Sequence, residues 1–196
     1  AGGTFDSAQQ VTSEVPEGCT VTYTTDGTVP SETSRLYSGP VSISHTTPLR
    51  ARAFKTGYYG SDVASQTYVI YTGESTVQSH TYTRPVVSIV TAPDNLWDPE
   101  TGLYVIGNDY AEVPGQDPTD IHMEAGMNDP NWNLANFWAQ PKSRPDPLGR
   151  DWERDVHFDY IDANGATLYS GDGIVQIQGQ YSRNNEQKGL SLIAKG

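Results

Sequence analysis

Cysteine is nearly absent: Cys19 stands alone in 196 residues. That excludes an intramolecular disulfide framework and a cysteine-based zinc site. For Cys19 itself, a small buried hydrophobe in a strand is favoured over a catalytic thiol. Cations are scarce too, with 12 Lys and Arg against 24 Asp and Glu, for a net charge of −12. Such a surface repels a nucleic-acid duplex or an anionic membrane, because affinity for nucleic acid is largely phosphate neutralisation. No apolar run approaches the ~20 residues that a membrane-spanning helix needs. The first residues, Ala1-Gly2-Gly3-Thr4-Phe5, show no basic segment followed by an apolar one, so no signal peptide is visible. Also missing are a G-x-x-x-x-G-K-[ST] phosphate loop, a G-x-S-x-G elbow and an H-E-x-x-H helix. His45, His80, His122 and His157 are scattered without ligand spacing. His157 falls in a strand, where a satisfied structural histidine is the ordinary reading.

What is present is a chain rich in Thr, Ser, Gly and Tyr, the habit of secreted bacterial β proteins. An extracellular or cell-surface location is expected, with both ends cut from a longer parent. The length suits one large or two small domains. Residues 1–71 alternate in short strands: Gln10–Ser13, Val21–Thr25, Val41–Ile43, Leu49–Phe54 and Ser65–Ile70. Pro16-Glu17-Gly18, Asp26-Gly27, Ser38-Gly39-Pro40 and Thr56-Gly57 separate them as turns. Strands this short at this spacing predict a sandwich. In Leu49–Phe54 the alternation is strict, which turns Leu49, Ala51 and Ala53 inward and Arg50 and Arg52 to water.

Tyr23-Thr24-Thr25-Asp26-Gly27, Tyr37-Ser38-Gly39-Pro40 and Arg50-Ala51-Arg52-Ala53-Phe54 carry a likeness. Over residues 3–70 the chain resembles the chitobiase/β-hexosaminidase C-terminal-type domain, a fibronectin-like β-sandwich that accompanies catalytic domains of extracellular proteins. The resemblance implies a spacer or support, not catalysis. Tyr58-Tyr59 offers rings to a glycan, but packing in a half-buried sheet is favoured. Residues 72–84 are polar, small and weakly patterned, and are expected to link two modules. Contacts between those modules decide whether they move independently.

Residues 85–196 read as a second, β-rich domain. A strand over Pro85–Thr91 is followed by a turn crowded with Asp94, Asp98 and Glu100. Hard oxygen ligands at this density suit calcium, but no EF-hand spacing exists and turn capping is favoured. Trp97 is expected to anchor this turn to the core. Residues 109–150 are poorly organised, with one helical turn expected over Ile121–Gly126. The cluster Trp132, Phe137 and Trp138 suits either a sugar platform or a hydrophobic plug, with the plug favoured.

From Trp152 onward alternation returns. Val156, Phe158 and Tyr160 share one strand face; His157, Asp159 and Ile161 share the other. Asp162-Ala163-Asn164-Gly165 reverses the chain, since Asn-Gly readily adopts the positive φ of tight hairpins. Val175, Ile177 and Gly179 resume the period, and Leu190, Leu192 and Ala194 repeat it. Between them, Gln180–Gly189 carries Ser182, Arg183 and Lys188. Asp155 and Asp159 share a face but stand too far apart for a coupled acid–base pair, and no two carboxylates single themselves out for glycoside hydrolysis.

RPVVSIVTAPDNLWDPETGLYVIGN (84–108), Asn136-Phe137-Trp138, Trp152-Glu153-Arg154, the Val-His-Phe-Asp strand, and Gly179 with Ser182-Arg183 and Lys188 occur in one order. Over 84–196 the chain is similar to the amino-terminal part of the spore-coat protein H (CotH) kinase family. Gln178 and Gln180 stand where that family often has His and a second Gly, and Ile174 where a Gly is common. The resemblance implies a parent that transfers phosphate from ATP, with Mg²⁺, to Ser/Thr of a secreted or cell-surface protein. Phosphoryl transfer needs cations on the phosphates, metal-holding acids and a base. Lys188 as phosphate ligand and Arg183 as second clamp supply the first; the equal alternative is that both are solvated loop charges, or pair with Glu186 and nearby Asp. In that family the metal-holding acids come from sequence farther on.

The fold expectation is therefore mainly β: a fibronectin-like sandwich (1–71), a linker (72–84) and a β-rich, partial α+β kinase-like domain (85–196). The fragment is expected to be non-catalytic, to hold no cofactor or metal of its own, and to bind no nucleic acid. The rival expectation is a carbohydrate-binding or structural module of a surface assembly, with glycan as the partner.

Overall fold

The computed structural model describes residues 1–71, 85–99, 102–104, 153–178 and 189–195. The described chain is mainly β, with strands β1 (Gly3–Phe5), β2 (Gln9–Val11), β3 (Thr20–Thr24), β4 (Arg35–Leu36), β5 (Val41–Ile43), β6 (Thr47–Phe54), β7 (Ala64–Ile70), β8 (Val86–Val90), β9 (Arg154–Ile161), β10 (Thr167–Gln178) and β11 (Gly189–Ala194), and one short helix, α1 (Asp94–Trp97). Five strands form one sheet in the order β1-β7-β6-β3-β4, β2 and β5 pair separately, and a further sheet runs β11-β10-β9-β8. The expected linker 72–84 lies outside the described residues.

By internal contact the chain divides into two units, Ala1–Ala92 with His157–Asp172, and Pro93–Val156 with Gly173–Gly196. In the first, the β2–β5 pair packs on the five-stranded sheet around Ile43, Tyr68 and Ile70, with Phe5, Val11, Val41 and Leu49 filling in. Phe5 stacks on Tyr68 at 5.8 Å. Burying each such side chain stabilises the fold by about 1.5–3 kcal/mol. The five expected strands are all present, within a residue or two of their predicted ends. β1 and β4 went unpredicted: three residues and two residues carry too little pattern to read. The turns follow their glycines. Gly18, Gly27 and Gly57 have φ of 71°, 87° and 81°, and Cys19 N–H donates to Pro16 O as Tyr58 N–H does to Lys55 O. Cys19 is half-buried in that turn, one residue before β3, not within a strand.

Arg50 corrects the alternation rule. It is only 8% exposed, and its Nη1 donates to Gly27 O at 2.9 Å. The face opposite the sandwich core is covered in the same unit, not open to water. There the Asp26-Gly27 turn meets the end of β8, so closely that a Cβ on Gly27 would collide with Thr91 O. Arg52 does stay partly exposed, with its guanidinium over the Phe54 ring and donating to Ser61 O at 2.7 Å.

β8 pairs antiparallel with β9, Val86 to Ile161 through Val90 to His157. Thr67 Oγ1 and Ser88 Oγ share a hydrogen bond of 2.8 Å. The β9–β10 turn closes as its sequence predicts: Gly165 has φ 87°, and Asp162 Oδ1 accepts from the Asn164 and Ala166 amides. Its tip touches β1, where Thr4 N–H donates to Gly165 O at 3.1 Å and Gly3 bridges to Ala166.

In the second unit, β10 and β11 pair antiparallel from Gly173–Ala194 to Gln178–Gly189. Val175 and Ile177 are buried on one face. α1 has no side-chain cap, and its turn is closed by backbone bonds: Asp98 N–H to Asp94 O, and Gly102 N–H to Asp98 O. Trp97 is not the anchor; it is 57% exposed and leans on Tyr104, while Leu103 is the residue driven into the core. A four-residue helix is too short to present a face that buries its Trp, whereas the returning chain carries Leu103 inward.

Candidate functional site: a buried histidine between two carboxylates

Arg183 and Lys188 lie outside the described residues, as do Glu100, Ile121–Gly126, Trp132, Phe137, Trp138 and Gly179. Among the described residues no group of three His, Cys, Asp or Glu is placed to hold a metal ion.

The polar cluster that is described grows from the β8–β9 register. Pairing Val90 with His157 and Ser88 with Asp159 puts both polar side chains of β9 on the buried face with Ile161. On the opposite, apolar face Val87, Ile89 and Tyr160 are exposed and Phe158 is half-buried, while Val156, past the end of β8, is buried. Periodicity reads which residues share a face but not which face is buried, and here the polar one is inside.

His157 has partners on both ring nitrogens. Nδ1 lies 2.9 Å from Asp172 Oδ1. Nε2 lies 2.9 Å from Ser170 Oγ and 3.3 Å from Asp159 Oδ1. Asp159, 1% exposed, accepts the Thr67 backbone N–H on its other oxygen at 3.0 Å. β1 pairs with β7 only from Tyr68 onward, so the Thr67 amide takes the carboxylate instead of a ladder partner. Burial opposes charge on His157, but bonding to Asp159 and Asp172 outweighs it and raises its pKa above the ordinary 6.5. Burial likewise opposes charge on Asp159, yet donors from His157, Ser170 and Thr67 hold it below the ordinary 3.8.

Asp172–His157–Ser170 has the connectivity of a hydrolase triad, and the chemistry argues against one. A general base needs a free Nε2 lone pair for the serine proton, whereas the buried Asp159 carboxylate 3.3 Å away favours charge on this ring. Ser170 sits inside a strand, not on a strained turn that presents a nucleophile. The arrangement is an electrostatic pin. Ser170 and Asp172 were missed in the sequence. Their signal was a second two-residue polar spacing beyond the hairpin turn, matching His157 and Asp159 before it. Only the hairpin register, seen where Phe158 stacks on Tyr169 at 5.1 Å, brings the two pairs to one face.

A second feature is on the surface. Tyr59 is fully exposed, and Tyr58 largely so, against the expected packing in a sheet. They occupy the β6–β7 loop, where no facing strand covers them among the described residues. Arg52 fixes that loop through the Gly60 and Ser61 carbonyls, and Lys55 Nζ stands 5.5 Å from the Tyr58 ring centre.

The architecture of residues 1–71 is that of a fibronectin-like β-sandwich module. Residues 1–67 match the family profile described as the Chitobiase/beta-hexosaminidase C-terminal domain, as the sequence resemblance implied. Neither the curated proteins nor the solved structures compared with the chain gave a match.

Proposed function

We propose that the chain is a non-catalytic accessory segment of an extracellular protein, in which a chitobiase-type sandwich is fixed to the opening strands of a CotH-type phosphotransferase. One observation carries the accessory role: the buried Asp159 carboxylate on the Thr67 amide ties β9 to the sandwich. A spacer needs such a tie, because a short polar linker alone transmits no orientation. The CotH assignment rests on the ordered residue blocks of 84–108 and 152–188. Within it, Lys188 and Arg183 bind ATP phosphates, the parent supplies the Mg²⁺-holding acids, and the acceptor is a secreted or surface protein.

The test is a pair of assays on the whole chain. No ATP turnover is expected; turnover would overturn the accessory reading. ATP is expected to raise Tm in wild type and not in Lys188→Ala; equal response of the two would remove the phosphate-binding assignment.

A second reading, contact with glycan, is favoured by the exposure of Tyr59 on a braced loop. Rigid aromatic faces stack on sugar C–H groups with little ordering cost. Calorimetric binding of soluble oligosaccharides that disappears in Tyr59→Ala would support it.

A further inference from the structure

The chain contains a single Asn-Gly pair, Asn164-Gly165, and Asn164 is exposed at the tip of the β9–β10 hairpin. This dipeptide carries its own chemistry. The Gly165 backbone nitrogen, once deprotonated, can close a five-membered ring on the Asn164 side-chain carbonyl carbon. Glycine, lacking a Cβ, leaves that approach open. We propose that Asn164 is a self-modification site, a deamidation centre that Asp162 holds shut while the tip is docked on β1.

The reaction needs only water and hydroxide. Hydroxide takes the Gly165 amide proton, the nitrogen bonds to Asn164 Cγ, and the Cγ–Nδ2 bond breaks as ammonia leaves with a proton from water. Water then opens the cyclic imide at either carbonyl, giving aspartate or isoaspartate at position 164.

In the docked tip both reacting groups are engaged by one residue. Asp162 O accepts the Gly165 N–H at 3.0 Å, which keeps the nucleophile protonated and aimed away from its target. Asp162 Oδ2 accepts from Asn164 Nδ2 at 3.2 Å, which turns the side chain back and not forward over Gly165. Oδ1 fixes the backbone on either side through the Asn164 and Ala166 amides, at 2.9 and 2.8 Å. The carboxylate also disfavours an anionic nitrogen beside it, as like charges do. From β1, Thr4 N–H donates to Gly165 O at 3.1 Å, and Gly3 bridges to Ala166. Ring closure therefore waits on local opening of the tip.

Either product keeps the tip open. Aspartate replaces a donor to Asp162 Oδ2 with a second negative charge. Isoaspartate adds a carbon to the main chain just before Gly165, at a turn that already leaves no room against Thr4. The change runs one way and loosens the hold on β1.

The test is peptide mass mapping of the whole chain aged in mildly alkaline buffer, scoring aspartate and isoaspartate at position 164. Native wild type should convert ~tenfold more slowly than the same chain unfolded in urea, the bias that the net worth of two hydrogen bonds supplies. Native Asp162→Ala should convert ~tenfold faster than native wild type on the same ground. In urea, Gly165→Ala should convert far more slowly than wild type, because its Cβ hinders the attack. In aged native wild type, protection of the Thr4 amide against exchange should fall in proportion to the converted fraction. Equal rates for native and unfolded wild type overturn the clamp, as does a native Asp162→Ala that ages no faster. Should that variant not fold, the native-to-urea ratio of wild type still decides. Equal conversion of wild type and Gly165→Ala in urea overturns the site, and unchanged Thr4 protection after conversion overturns the loosening.

Discussion

Gly165 at the hairpin tip gives a prediction whose parts separate. Its φ of 87° is a conformation that L-residues avoid, and alanine there loses about 1–2 kcal/mol on backbone grounds. A Cβ would also collide with Thr4 Oγ1 and stand 3.3 Å from Thr4 Cβ. Forcing atoms into a filled contact adds about 1–3 kcal/mol. Gly57 is an internal control, with φ 81° and nothing within 4 Å of the place a Cβ would take. Gly57→Ala should therefore lose only the backbone part, about 1–2 kcal/mol. Gly165→Ala should lose about 2–5 kcal/mol by summing the two, and Thr4→Ala in the same chain should return the clash part. Exchange of the Thr4 amide, which donates to Gly165 O, reads the local effect, and urea unfolding reads the global one. If Gly165→Ala loses no more than Gly57→Ala, the hairpin tip does not press on β1 and the reasoning fails.

Three further outcomes follow. Ile70→Ala, in the centre of the sandwich core, should lower stability by about 2–5 kcal/mol in urea titration. On the acid side, Asp159 is held below its ordinary pKa, so its contribution is present above 3.8 and lost as pH falls through the lower folded value; Asp159→Asn should flatten the acid limb of a stability–pH curve. Tyr59→Ala should leave Tm unchanged within the error of calorimetry, since its ring touches nothing it would stabilise.

Much of this fold was legible because its turns carry glycines that only one backbone geometry suits. Asp162 to Gly165 and Asp26-Gly27 announced their reversals, and the five strands between residues 9 and 70 followed from alternation. Arg50 and His157 mark where alternation stops informing. Both sit on faces that look polar and are buried, because a second layer covers them, and one strand's pattern holds no record of what packs above it. Trp97 shows the reverse: a large aromatic read as an anchor is left outside, since a one-turn helix offers no face to bury it. Ser170 and Asp172 needed the hairpin register, which depends on a five-residue connection and not on either strand.

The tie between the sandwich and the strands beyond residue 84 is tested most directly by native-state hydrogen exchange on the whole chain at increasing urea. Amides of β7 (67–70), β8 (86–90) and β9 (157–161) should converge on one opening free energy with one urea dependence. Separate isotherms, with β8 and β9 opening while β7 stays closed, would contradict it.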